Sequence, residues 1–149
     1  MSVKFVAGQS PDCSNYTAGA NLEYCNLRHA DLDGLDLAGA NFTGARLTYA
    51  TLESADLAGA EFGHDNLTQV TFDDADMQEA DLSSTYLYTS SLQNADLTDA
   101  DLDDATVIYD NFTGANLTGV ALPDGWVSDI CPDGTNTNDD GGTCMGHTS

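Results

Sequence analysis

From Ala20 to Asp124 the chain places an apolar residue at every fifth position without a single insertion, and no regular helix or strand accommodates that spacing. In "ADLDGLDLAGANFTGARLTYATLESADLAGA" (residues 30 to 60) the series runs Leu32, Leu37, Phe42, Leu47, Leu52, Leu57. A helix turning roughly 100° per residue sets each of these about 140° from the last, and a strand sends alternate ones to opposite faces. The frame holds 21 pentapeptides, and all 21 centres are apolar: 15 Leu, four Phe, Met77 and Val107. The residue two places before the centre is Ala in 13 of the 21. Large apolar and small residues therefore alternate along the frame.

This pattern resembles the pentapeptide-repeat family, whose consensus is A-(D/N)-L-x-x. The resemblance implies an all-β fold, a right-handed quadrilateral parallel β-helix in which four pentapeptides make one coil of about 20 residues. A corner after every fifth residue would cancel the face-flipping of a strand and turn every centre inward. The chain then divides into an N-terminal cap over 1–19, about five coils over 20–124, and a C-terminal cap and tail over 125–149. Val3, Phe5 and Val6 are expected to cap the first coil. Trp126, with Val127 and Ile130, is expected to cover the last, since a solenoid must close its ends.

Inward departures from the pattern are Asp65 and Asp110, with Thr85, Ser90 and Leu35 as milder ones. A buried carboxylate can mark a metal or catalytic site. The simpler expectation is that each accepts backbone N–H groups at a corner. The two fall on different faces, about two coils apart, and do not form a pair.

Sorting outward residues by the implied coil of four separates the charges. The first face carries Glu23, Glu61, Asp81, Asp101, Asp103, Asp104 and Asp124, and the third Asp31, Asp33, Glu53, Asp73 and Asp74. On the fourth, Asp36, Asp56, Asp76 and Asp96 recur at one position of successive coils, an acidic ladder joined by Glu79 and Asp99. Stacked like charges favour raised pKa values or a bound cation; the plainer role is an Asp capping its own turn. The second face, "CNLRH", "ARLTY", "DNLTQ", "TYLYT", "ATVIY", has no outward acid. It bears Arg28 and Arg46 and is expected to expose Tyr49, Tyr86, Tyr88, Ile108 and Tyr109. Tyr and Arg are enriched at interface centres, although Tyr also suits strands by propensity. This face is the candidate surface for a protein partner or a second copy.

The net charge of −22, from 25 acids against three Lys and Arg, repels nucleic acid and anionic membranes, so direct DNA binding is excluded. No stretch approaches the ~20 apolar residues of a membrane span. The opening "MSVKFVAGQS" has no continuous apolar run and does not read as a signal peptide as it stands. The three His residues, His29, His64 and His147, lie on different faces or in the tail. No Ser–His–Asp or Cys–His set, phosphate loop or cleft is visible, so no catalytic residue is assigned and no enzyme is expected.

The tail, with "CPDGT" at 131 and "GGTC" ending at 144, resembles cysteine-bracketed tails behind pentapeptide repeats in exported bacterial proteins. That resemblance implies a Cys131–Cys144 disulfide. Cys13 is placed to pair with Cys25, yet Cys25 also occupies an inward slot where the family tolerates a free thiol. Disulfides imply an oxidising compartment. No cofactor and no metal are expected. Besides the ladder, the other cation candidate is calcium at "NTNDDG" (136 to 141), whose twelfth position is His147 where a calcium loop has Glu, so a plain turn is the simpler reading.

Together these features read as a non-catalytic, exported structural or protein-binding module, extracellular or on the cell surface. The alternative is an acidic, cytoplasmic DNA mimic that binds a type II topoisomerase such as gyrase, as the resemblance implies for some acidic members of the family.

Overall fold

A computed structural model describes residues 12–121, the backbone of 126–127, and residues 131–134. The chain is an all-β parallel β-helix, built from one local event repeated every five residues. The carbonyl of the central residue accepts the N–H three residues on, as in Leu57 O from Ala60 N at 2.9 Å and Leu97 O from Ala100 N at 2.9 Å. The residue before that donor lies at positive φ. Every fifth residue from Gly19 to Gly119 has φ between +54° and +74°. A turn with its third residue in the left-handed region is what type II geometry demands. It bends the chain so that the next centre points inward again, which resolves the five-residue puzzle.

Fourteen of these corners are not glycine, and one, Thr89, is β-branched. Such a residue is a conformational outlier, so the surrounding coil must impose the geometry. Glycine is required where something fills the space of a Cβ. At Gly44 an added Cβ would lie 2.5 Å from the ring of Tyr24.

Coils stack with residue i beside i+20. Asn21, Asn41, Glu61, Asp81, Asp101 and Ala121 form one continuous column of parallel bridges. Each contact is made twice, as in Asn41 N to Ala20 O (2.9 Å) and Leu22 N to Asn41 O (2.7 Å). The interior holds the apolar centres, with Leu32, Leu57, Phe62 and Leu97 at zero exposure, and the small residues between them. The same turn already closes at Thr17–Ala20, where Ala20 N meets Thr17 O at 3.0 Å.

One side of the coil departs from this pattern. Its strands β1 (Asn66–Thr68), β2 (Tyr86–Tyr88), β3 (Thr106–Ile108) and β4 (Trp126–Val127) form a parallel sheet in the order β1-β2-β3-β4. At the corners that follow, inward polar side chains take over the turn bonds. Val70 N donates to Ser90 Oγ (3.2 Å), and Ser90 N to Asp110 Oδ1 (2.6 Å). Ile108 N donates to Asp110 Oδ2 (2.9 Å), and Ser90 Oγ donates to Leu67 O. Asp110 is therefore a corner acceptor, as the simpler expectation held.

The 20-residue register ends at β4. Val107 pairs with Trp126 and Ile108 with Val127, one residue short of the repeat. Gly114 N then donates to Pro132 O at 2.8 Å, which keeps the shortened register on the next side. Cys131 is fully buried and disulfide-bonded. Its expected partner Cys144, the cap residues Val3, Phe5, Val6 and Ile130, the candidate calcium loop, His147 and the side chain of Trp126 lie outside the described residues.

At the other end Cys13 and Cys25 are bonded, with Cα atoms 5.6 Å apart, which settles the open choice for Cys25. Cys25 sits in an inward slot at 1% exposure, so the bond ties the entering chain to the first coil. Replacing the pair by Cys13→Ser with Cys25→Ala should lower stability by about 3 kcal/mol for a loop of this size. Urea unfolding of the double variant beside the oxidised parent measures it. Equal midpoints would show that the bond constrains nothing the coil does not already hold.

Candidate interaction face

The side that carries β1 to β4 is the second face of the sequence reading. Its second-position column is Asn26, Arg46, Asn66, Tyr86, Thr106, joined in register by parallel pairing. The fourth-position column runs Arg28, Thr48, Thr68, Tyr88, Ile108. The corner column runs His29, Tyr49, Gln69, Thr89, Tyr109, each at positive φ.

This geometry sorts the aromatic residues in a way the sequence alone does not show. Tyr49, Tyr86 and Tyr109 are exposed, while Tyr88 and Ile108 are only half-buried and do not stand free as expected. The cause is neighbouring rings and strands. The Tyr88 ring lies 6.0 Å from Tyr86, nearly parallel, and 5.8 Å from Tyr109, edge to face. Ile108 lies between β2 and β4. Tyr86, Tyr88 and Tyr109 therefore form a single aromatic cluster over the last two full coils.

The other end of the face is cationic. Arg28 and Arg46 are exposed and make no ion pair among the described residues. His29 and Tyr49 stack with ring centroids 4.9 Å apart and planes 1° from parallel, because adjacent corner residues project in the same direction. His64 sits on the neighbouring corner, one coil further on. All the described Arg and His residues thus lie on this face or its edges, and among the described residues no acid points outward from it.

Asp65 opens the middle side of the face but points inward, at 2% exposure. Its Oδ1 accepts from Gly44 N at 2.5 Å, and Ala45 N also donates to the carboxylate. Its Oδ2 is buried with no partner. Burial outweighs the two backbone donors and pushes its pKa up to about 8. The expected corner role holds, with an unpaired oxygen that the sequence did not reveal.

The acidic ladder is a true column, Asp36, Asp56, Asp76 and Asp96 bridging in turn and ending at Asn116. Each Asp caps its own side: Oδ1 accepts from Ala38, Ala58, Gln78 and Thr98 N respectively, at 3.0–3.3 Å. Asn116 Nδ2 donates to Asp96 Oδ1 at 3.2 Å. Beside the ladder, Ala58, Gly59, Gln78 and Glu79 line a shallow open depression of about 320 Å³. Among the described residues no group of three or more His, Cys, Asp and Glu is placed to hold a metal. No helix there is long and apolar enough to cross a membrane.

A profile of the family described as Pentapeptide repeats matches the chain in eight copies, over residues 20–59, 45–87, 66–104 and 86–119. The chain belongs to the pentapeptide-repeat family. Among solved pentapeptide-repeat structures it is similar to HetL, a protein involved in heterocyst differentiation regulation from the cyanobacterium Nostoc sp. strain PCC 7120. The two share 29% identity at a TM-score of 0.57, over 80% of this chain and 62% of HetL. The chain thus spans less than two thirds of that relative. It is also similar to Rfr23 from the cyanobacterium Cyanothece 51142, with 25% identity and a TM-score of 0.57 over 77% of this chain and 87% of that one. QnrB1, a plasmid-mediated fluoroquinolone resistance protein, aligns over 71% of this chain and 70% of its own at 20% identity and a TM-score of 0.32. A likeness of that order bears on no shared function. No curated protein sequence matches the chain.

Proposed function

We propose that this pentapeptide-repeat protein is a non-catalytic binding module that docks protein partners through its second face, in an oxidising compartment outside the cytoplasm. The observation that carries this reading is the separation of charge. In a chain of net charge −22, one side has, among the described residues, no outward acid, two Arg without an ion pair, and a cluster of Tyr. Bringing a surface out of water is least costly where no carboxylate must be desolvated, and Tyr and Arg are the residues that gain most there. The Asp ladder weighs less as a rival surface, because its Oδ1 atoms already serve their own turns. The Cys13–Cys25 bond supports the oxidising compartment. The role given for HetL, regulation of differentiation, fits a rod that acts by binding.

Photo-crosslinking tests the face directly. A benzophenone amino acid replaces Tyr86 on the second face, Thr43 on the first, Thr71 on the third, or Ala38 on the fourth, in cells that make and oxidise the protein. Adducts are expected from position 86 and not from the other three. Adducts spread evenly over all four sides, or absent from position 86, would remove the assignment.

A further inference from the structure

The second face is arranged to complement a second copy of itself, and we propose that two copies pair through it, antiparallel, about a twofold axis lying along β1. This rests on the reading of that face as the binding surface and names its occupant.

The argument starts from the register. Arg46 bridges Asn66, and Asn66 pairs with Tyr86, so Arg46 and Tyr86 lie one coil to either side of β1 in the same column. His29 and Tyr109 occupy the corner column two coils to either side of the same strand. A twofold axis parallel to β1 exchanges the two ends of the face while keeping each column over itself. It therefore sets Arg46 of each copy over Tyr86 of the other, and His29 over Tyr109, with Arg28 beside that second pair. The cationic half of one face meets the aromatic half of its mate, and an Arg over a Tyr ring is attractive even when partly solvated. β1 and the corner after it meet their copies through Asn66, Thr68 and Gln69, which carry no charge to repel. The other twofold, along the coil axis, would set coil over coil and bring the two cationic ends together.

Charge also selects this face. Any of the other three would bring outward carboxylates of two copies together, whereas this one keeps them on the far sides. A twofold pairing uses one patch on both copies and closes, leaving no end to extend into a fibre.

Size and net charge set the expected behaviour. Five strands about 4.8 Å apart and about four residues of ~3.3 Å across give a face roughly 24 by 13 Å, on the order of 300 Å² per copy, so the contact falls short of the ~1,200 Å² of a standard stable interface. Pairing is therefore weak and concentration-dependent. Two bodies of net charge −22 repel at long range, so added salt should strengthen this pairing. Docking of the Arg residues on an acidic surface, including another face of a second copy, would weaken with salt.

Sedimentation of the full oxidised chain from about 10 μM to 1 mM, at 0.02 and 0.5 M salt, reads the state. The weight-average mass should climb from 15.7 kDa toward twice that value, further at high salt. Arg46→Glu and Tyr86→Arg, both at exposed positions, should each weaken self-association at least tenfold. An equimolar mixture of the two should associate again. In the mixed pair the carboxylate introduced at position 46 of one copy faces the guanidinium introduced at position 86 of the other, and the second Arg–Tyr contact is retained. A parent that stays monomeric at 1 mM in 0.5 M salt, single variants that still pair, or a mixture that does not recover would each overturn the proposal. A photo-adduct at position 86 to a different protein, with no self-association, would overturn it while leaving the binding face intact.

Discussion

Phe62→Ala is expected to lower stability by about 3–5 kcal/mol, seen as a reduced urea midpoint at unchanged m-value. Phe62 is fully buried at the centre of its side. Its ring stacks on Phe42 at 4.7 Å, with planes 3° apart, and meets Phe72 edge-on at 5.8 Å across the coil. Removing it deletes both contacts and opens a cavity that cannot easily close. The walls are backbone, held to neighbouring coils by Phe42 N to Glu61 O and Phe62 N to Asp81 O, both 2.8 Å. A core one coil wide also has no second layer to move in, and each coil is supported only by its neighbours. Phe62→Leu, which installs the commonest central residue, should cost only about 1 kcal/mol. A loss below 1 kcal/mol for the Ala variant would mean that backbone stacking, and not the filled interior, holds the coil.

The second large effect is a loss of stability as pH rises, traced to Asp65. Its folded pKa of about 8 lies above the ordinary 3.8, so the folded state keeps a proton that the unfolded chain releases. The contribution is fully present below about pH 4, declines through the window between the two values, and is gone above about pH 8. A fully expressed shift carries about 1.36 kcal/mol per pH unit. Screening near the thin wall of the coil reduces this, and a net loss on the order of 2–3 kcal/mol between pH 5 and pH 8 is expected. Asp65→Asn keeps the acceptor for Gly44 N without the charge, so its profile should be flatter by that amount. The many surface acids contribute equally to both proteins and cancel in the comparison. Parallel profiles for parent and variant would show that burial does not hold a proton on Asp65 between pH 5 and pH 8.

Much of this molecule was legible from spacing alone. Inward centres such as Leu32 and Phe42 recur with period five whatever their neighbours, because the corner is a local event. The Asp36–Asp96 column follows from the same arithmetic once four sides make a coil. The corner role of Asp110 was also accessible, since an inward carboxylate needs donors and a corner supplies them. The left-handed conformation of Tyr49, Thr89 and Tyr109 was not legible, because none of these residue types favours it; at the first two the next coil holds it, through Tyr49 N to Thr68 O (3.3 Å) and Thr89 N to Ile108 O (3.0 Å). Nor was the half-burial of Tyr88, which depends on the rings of Tyr86 and Tyr109 arriving from its own strand and from the next coil. The choice between bonded and free Cys25 needed the path of the chain before the first coil.

The sequence by itself determined the period and the apolar centre of every repeat; joined to the four-sided coil that the family resemblance implies, it also yielded the inward and outward assignment of nearly every residue in the repeats and one side without outward acids. These depend on interactions within five residues and on counting. Tertiary structure decided which corners open into real strands, where the register slips between Val107 and Trp126, which Tyr residues stand free, and that Asp65 keeps a buried oxygen unpaired. Apart from the Tyr86 ring beside Tyr88, each of these is settled between residues about 20 apart, where hydrogen bonds and packing from the next coil outweigh local preference.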